Sequence, residues 1–458
     1  QSVAAIAPAG TSAVTPLFVI AAIGGTGGVV SFAIAMIVVM MVAACIRPMA
    51  QRLAVVGGLY SYVAQGLGPS AALPTAWSAI VGYGSVSMAG LTAVGLYLNH
   101  FAVSVGFSST VSVLVMGAIV ILAGVIMTIL MVRGIKVSAT VTLAIEVVSM
   151  VILVGLMVWL GFSIRGARYS EVFTPHLETG QLGLNIVVAV SAFVGFESAT
   201  TLSAEARKTF RSVPRTLRWT PIAAGLIYLL AVTTQSVAIH DAPPAVRESA
   251  TPLAALFLNE GTRVASTILD IGIAASFFAC ALASVNALVR VLFTLGREGV
   301  LPAVFGHAHR RFHTPAVATV AVMAVVTGGP LILLACGGDP RAGIRNFLTL
   351  SALGYMGSYL TACLAAPALL RRIGETSRRI AVLGVGTAGI LAALLVTAFG
   401  SGFNTGNGRV LCVVYGSSMV IAVGIAAFVV RRWPRRFGNV GVFDSTSRED
   451  VLTTVTQR

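Results

Sequence analysis

Two carboxylates set in apolar runs are the first residues of this chain that could do chemistry. Glu197 stands in SAFVGFESATT (Ser191 to Thr201), and Glu146 stands in LAIEVVSMV. Burying a carboxylate at mid-membrane costs ~2.5–3.5 kcal/mol on insertion scales, so an acid kept there is a functional candidate by default. Glu197 follows Gly195, the residue best suited to break its segment. There it could carry a proton, bond a neighbouring segment or face a substrate ammonium; capping the broken helix is the purely structural alternative. Glu146 lies deeper in its own run and is a second proton-carrier candidate. Asp270 is less than two turns from the end of its run and is expected to be wetted from outside.

A complementary chemistry is offered by AAIAPAGTSAVTP (Ala4 to Pro16), interrupted by Pro8, Gly10 and Pro16. Unwinding at Ala9-Gly10-Thr11 would leave the following half-helix with free N–H groups at its positive end, which is an anion site. Thr11 and Ser12 add hydroxyl donors that suit a substrate carboxylate. The alternative is a proline kink without a ligand, since Pro and Gly are common in membrane helices. Two other patterns carry less. Gly384-Val385-Gly386-Thr387-Ala388-Gly389 matches GxGxxG but follows arginines inside an apolar run, with no strand before it. His307, His309 and His313 lie in an arginine-rich loop without a cysteine partner, which reads as a solvated loop rather than a metal site. No GxSxG, HExxH or P-loop pattern occurs, so neither an enzyme nor an ATP-driven pump finds its residues, and no cofactor or metal is expected.

What must position these residues is a set of membrane helices. Hydrophobic residues make up 57% of the 458 and charged residues 10%, against roughly a quarter charged in soluble domains. Twelve runs are long enough to cross a hydrocarbon core of ~30 Å: about 2–23, 28–46, 70–98, 110–132, 139–162, 184–205, 217–239, 263–293, 315–336, 346–370, 380–400 and 410–430. The first lacks the positive n-region and small-residue site of a cleavable leader. It begins almost at residue 1, and a polar arm ahead of it is expected to fall outside this numbering. The five cysteines are scattered and read as small apolar residues.

The net charge of +15 is 30 basic residues against 15 acidic ones, and the basic residues are nearly all arginines placed between the runs. That placement sets topology rather than marking a nucleic-acid partner. Alternate loops and the tail gather 23 of them on one side, and the other side holds seven: Arg165, Arg168, Arg247, Arg263, Arg341, Arg345 and Arg409. Both ends are therefore expected in the cytoplasm.

The two interrupted runs, 1 and 6, lie five apart, so they enter the membrane from opposite sides. An odd offset makes a repeat of spans 1–5 and 6–10 inverted, as in many transporters. Repeat one is expected over about 1–165 and repeat two over about 184–372. Two extra helices at about 380–430 complete a single membrane domain (1–436), followed by a cytoplasmic tail, 437–458.

Four motifs then resemble the amino acid–polyamine–organocation transporter superfamily. Gly57-Gly58-Leu59-Tyr60-Ser61-Tyr62 with Gly68-Pro69 is similar to its GGxYxY…GP signature between helices 2 and 3, and Ala192 to Ala199 to its helix 6 core. Glu205 through Arg211 to Val213-Pro214-Arg215 resembles the end of that helix, and Arg290 through Gly296-Arg297-Glu298-Gly299-Val300-Leu301-Pro302 to Thr314-Pro315 the loop after helix 8. The resemblance implies an all-α, LeuT-like five-plus-five core with discontinuous helices 1 and 6. It implies alternating access for amino acids or related amines in the cytoplasmic membrane, with uptake of polyamines or other organic amines as the second reading. It places a substrate carboxylate at Ala9, Gly10, Thr11 and Ser12, and an ammonium near main-chain carbonyls of Ser191, Phe193 and Val194, beside Gly195 and Glu197. Lys208-Thr209 stand where the family has Asn-Pro. Ser191 stands where some antiporters carry a tryptophan gate, and Ser149 where some proton-coupled relatives have lysine.

Overall fold

The computed structural model describes residues 1–23, 25–104, 106, 112–163, 179–206, 208–240, 242–309, 311–312, 314–375, 377–402, 406–432 and 440–441. The expected tail 437–458, apart from Val440 and Gly441, lies outside the described residues, as do His313 and eight of the arginines counted above: Arg165, Arg168, Arg207, Arg310, Arg435, Arg436, Arg448 and Arg458. Among the described residues there are twelve helical segments long and apolar enough to cross a membrane. They match the twelve runs in order, so the chain is an all-α, multi-pass membrane protein.

Span 1 is two helices. α1 (Ser2–Ile6) ends at Ala7, whose φ of 46° is left-handed, and α2 (Pro8–Ile23) starts at once. The cause is local. A residue before proline is steered away from the helical region, while Pro8 is well suited to the first helical position. The break therefore falls at Ala7, two residues before the expected Ala9-Gly10-Thr11, and those three residues form the first turn of α2. α3 (Gly25–Ala50) is span 2, α4 (Leu59–Leu67) is a short helix after Gly58, and α5 (Pro69–Ser104) is span 3. α6 (Ser112–Arg133) and α7 (Ile135–Ser163) are spans 4 and 5.

Span 6 is also broken. α8 (Thr179–Ser191) gives way to turns that end at Gly195 (φ 95°), and a 3-10 helix, Phe196–Glu205, follows. The tighter winding suits its sequence. Thr201 and Ser203 send their hydroxyls back to carbonyls three residues earlier, Ser198 O (2.8 Å) and Thr200 O (2.7 Å). α9 (Thr209–His240), α10 (Pro244–Glu248), α11 (Pro252–Asn259), α12 (Arg263–Arg297), α13 (Ala316–Ala335), α14 (Pro340–Arg372), α15 (Arg378–Gly402) and α16 (Gly406–Arg432) complete the chain.

Without a hydrophobic force between helices in lipid, close backbone approach decides which spans sit together. A Cβ on Gly354 of α14 would lie 2.5 Å from the Gly82 amide nitrogen of α5, so only glycine permits that crossing. α5 packs on both α14 and α12, and α3 packs on α9. Spans 1 and 6 have 89% and 83% of their apolar windows buried, against 28% and 22% for spans 11 and 12. The broken helices are thus the centre of the bundle. α15 and α16 turn Val396 and Val420 outward as lipid-facing surface. Gly384 of the GxGxxG pattern belongs to this packing, since a Cβ there would stand 2.6 Å from Cys363 O.

Arg52, after span 2, pairs with Glu375, after span 10, through an Nε–Oε2 bond of 2.8 Å, and the guanidinium holds that carboxyl below its usual range. These loops share one face, as an even number of intervening spans requires.

Candidate functional site

The two breaks meet. A Cβ on Gly195 would come within 3.0 Å of Ala5 Cβ and 3.2 Å of the Ala5 carbonyl, so the span 6 turn crosses directly over the end of α1. Tyr228 of α9 ties the two together, donating to Ala192 O (2.7 Å) and reaching Ile6 O (3.4 Å). Its ring meets Phe193 edge-on at 5.0 Å. From the other side, the Cys280 thiol of α12 donates to Ala5 O at 3.0 Å.

Glu146 is fully buried against the start of α2. The Ala9 amide donates to Glu146 Oε1 (3.0 Å), and Ser276 of α12 donates its hydroxyl to Glu146 Oε2 (2.7 Å). The Gly10 amide donates to that same Ser276 oxygen (2.9 Å). Thr11 N–H closes back to Ala7 O (2.9 Å). The first orphan amides of α2, expected to face a ligand, are therefore satisfied by a side chain of span 5 and one of span 8. The hydroxyls expected as donors are engaged as well: Thr11 Oγ1 donates to Ile6 O (2.9 Å) and Ser12 Oγ to Ala9 O (2.8 Å). Gln235 Nε2 donates to Ser12 O at 2.7 Å.

Glu197, also fully buried, is clasped by two phenols. Tyr83 of α5 donates to Oε1 (2.8 Å) and Tyr359 of α14 to Oε2. Tyr355 packs edge-on to Tyr83 at 5.0 Å and beside Tyr359 at 5.7 Å, so the clasp sits in an aromatic layer. Phe193 and Val194 are buried in the turn, and Ser191 Oγ donates to Val188 O (2.6 Å). The structure thus gathers Ala9, Gly10, Thr11, Ser12, Ser191, Phe193, Val194, Gly195, Glu197 and Glu146 around one crossing.

Asp270 departs from its expectation. It is 1% exposed, not wetted, because His100 of α5 lies over it with Nδ1 2.7 Å from Oδ2. His309 serves its own turn, its Nδ1 accepting the amides of Arg311 (3.2 Å) and Phe312 (3.3 Å). Thr209, the first residue of α9, donates to Ser203 O (2.6 Å) and Ala206 O (2.8 Å). Reading the sequence alone missed Tyr83, Tyr228, Tyr359 and Ser276. The signal for the tyrosines was available: a buried phenol in lipid needs an acceptor, and carboxylates are few.

The chain is similar to known membrane permeases and transporters. A family model described as "Amino acid permease" matches residues 2–436. The low-affinity putrescine importer of Escherichia coli (strain K12) is 23% identical over 309 residues, covering 64% of this chain and 65% of its own length. The vacuolar cationic amino acid transporter 4 of Arabidopsis thaliana is 26% identical over 316 residues, with 64% and 50% covered. The branched-chain amino acid permease of Lactococcus lactis subsp. cremoris (strain MG1363) is 29% identical over 341 residues, with 68% and 70% covered. The match spans from half to about two thirds of the length of the first two relatives. With twelve candidate spans among its described residues and a family-model match over residues 2–436, this protein belongs to the amino acid permease family.

Proposed function

We propose that this chain is a secondary transporter that moves amino acids across the cytoplasmic membrane by alternating access. The observation that carries the reading is the contact of two broken helices, at Ala5 and Gly195, in the most buried part of the bundle. A half-helix start supplies partial positive charge and the span 6 turn supplies carbonyls, so a zwitterion complements the crossing. The names of the relatives, which include amino acid permeases and a putrescine importer, support the substrate class. On this reading the crossing is the contact of repeat one (about 1–165) with repeat two (about 184–372), with α15 and α16 as additions outside them. Arginine placement supports cytoplasmic ends for the chain. Glu197 and Glu146 are the acids through which protons would couple to movement.

A polyamine or other organic amine is the second reading. It is favoured by one observation, the presence of a second buried acid, Glu146, beside span 1. Amino acids tested against their decarboxylated amines for thermal stabilisation of the purified protein separate the two. The amine of a true substrate should bind at least about tenfold more weakly, a difference of ~1.4 kcal/mol. Amines that compete equally well across the panel would replace the amino acid reading.

A further inference from the structure

Glu146 is a carboxylate bound where a ligand's carboxylate would have to bind. Pro8 has no N–H, Thr11 N–H is taken by Ala7 O, and the two amides that remain at the start of α2 are those of Ala9 and Gly10. Glu146 takes the first directly at 3.0 Å and the second through Ser276, which accepts from Gly10 and donates to Glu146. Every member of this ring is buried: Ala9, Glu146 and Ser276 are each at most 1% exposed. The ring joins spans 1, 5 and 8, and the other titratable side chains beside the carboxylate are Tyr228 and Cys280, neither of them cationic.

The geometry points to Glu146 as the resident anion of span 1 and a specificity determinant of transport: it satisfies the α2 amides when no ligand is bound and is exchanged against the carboxylate of the substrate. This rests on the amino acid reading above. The same amides cannot serve two carboxylates, because like charges would be brought together in a dry site with a single pair of donors between them. An incoming amino acid replaces one set of charge-assisted bonds by an equivalent set, whereas an amine has nothing to offer the amides and leaves Glu146 in place. Carboxylate recognition is then a competition inside the protein. Its outcome also frees span 5 from span 1, since the Ala9 bond is a link between them.

The experiment removes the resident anion and offers a substitute. In Glu146→Ala the Ala9 amide and the Ser276 hydroxyl are left unpaired, so the purified full chain should melt below wild type. Acetate should then raise the melting temperature of the variant by several degrees and leave wild type unmoved, while methylammonium moves neither. The preference for the amino acid that best stabilises wild type, over its decarboxylated amine, should increase at least tenfold. Acetate without effect on Glu146→Ala, or amino acid and amine binding lost together, overturns the proposal. Should Glu146→Ala not fold, Ser276→Ala frees the Gly10 amide and weakens the hold on Glu146; it should shift the same preference in the same direction, and an unchanged preference overturns the proposal too. A wild-type protein that binds no amino acid would sink the transport reading, and acetate rescue is scored separately from that result.

Discussion

The phenol of Tyr60 donates to Glu298 Oε2 across 238 residues of sequence, and the other oxygen of Glu298 accepts the Gly441 amide at 3.0 Å. Two sequence motifs that looked independent, GGLYSY and GREGVLP, are thus the two sides of one contact. Gln65 Nε2 reaches Gly441 O at 2.7 Å, so a piece of the chain beyond the last span is pinned to α4 as well. Hydrogen bonds to buried charged groups are worth ~1.5–3 kcal/mol. Tyr60→Phe should therefore lower the melting temperature in detergent by several degrees. A variant that melts with wild type would mean that the Tyr60 bond adds nothing to stability.

Gly441 adopts φ 79°, and a Cβ there would stand 2.6 Å from Ala64 Cβ. Gly441→Val is both strained in its backbone and too large for the contact. Limited proteolysis should cut the variant after α16 faster than wild type, with the bundle itself left intact. Equal cutting rates would place the Val440-Gly441 segment elsewhere in solution.

Gly10 faces Phe277, with its hypothetical Cβ 2.9 Å from ring carbon Cδ2 and 3.2 Å from Ser276 Oγ. Phe277 is buried, 1% exposed. Gly10→Ala should cost about 1–3 kcal/mol by overpacking and weaken ligand binding by pushing Ser276 from the amide. Gly10→Val should abolish binding while the protein stays folded. Thr11→Leu, which loses the Oγ1 bond to Ile6 O across the break, should act in the same way. Unchanged affinity in these variants would take span 1 out of the site.

Cys336 follows α13 and is exposed, whereas Cys45, Cys280, Cys363 and Cys412 are buried. Arginine placement puts the loop after span 9 outside. A membrane-impermeant maleimide should label intact cells at this one cysteine, and Cys336→Ser should remove the label. Labelling only after permeabilisation would invert the orientation of the chain.

Span number and order were legible because length and hydropathy act locally, one run at a time. The breaks were legible too, since Pro8, Gly10 and Gly195 are local signals, but a local signal does not say which side of a proline unwinds. Steric restriction of Ala7 by Pro8 put the break three residues before Gly10, which had suggested it. The partners of the acids were not legible. Tyr83 and Tyr359 lie 114 and 162 residues from Glu197, and Ser276 lies 130 from Glu146, so no spacing joins them. Asp270 was misread for the same reason: nothing near it in sequence announces His100.

Glu197 is where a proton would have the largest mechanical effect. As a carboxylate it accepts from Tyr83 on span 3 and Tyr359 on span 10 while standing just past the break in span 6. Protonated, it turns one oxygen into an O–H donor, so the phenol facing that oxygen must accept rather than donate or turn away, and the hold on one of the two spans is rearranged. Substrate movement and proton uptake would then share this clasp. Glu197→Gln fixes the side chain in a form that resembles the protonated state, because its amide nitrogen cannot accept a phenol's hydrogen bond. Uptake into proteoliposomes should lose most of its pH dependence in this variant while substrate-induced stabilisation persists. Tyr83→Phe removes one arm and leaves the carboxyl able to titrate, so it should move the pH profile without flattening it. An active Glu197→Gln with the wild-type profile would transfer the proton role to Glu146, the other buried acid at the crossing.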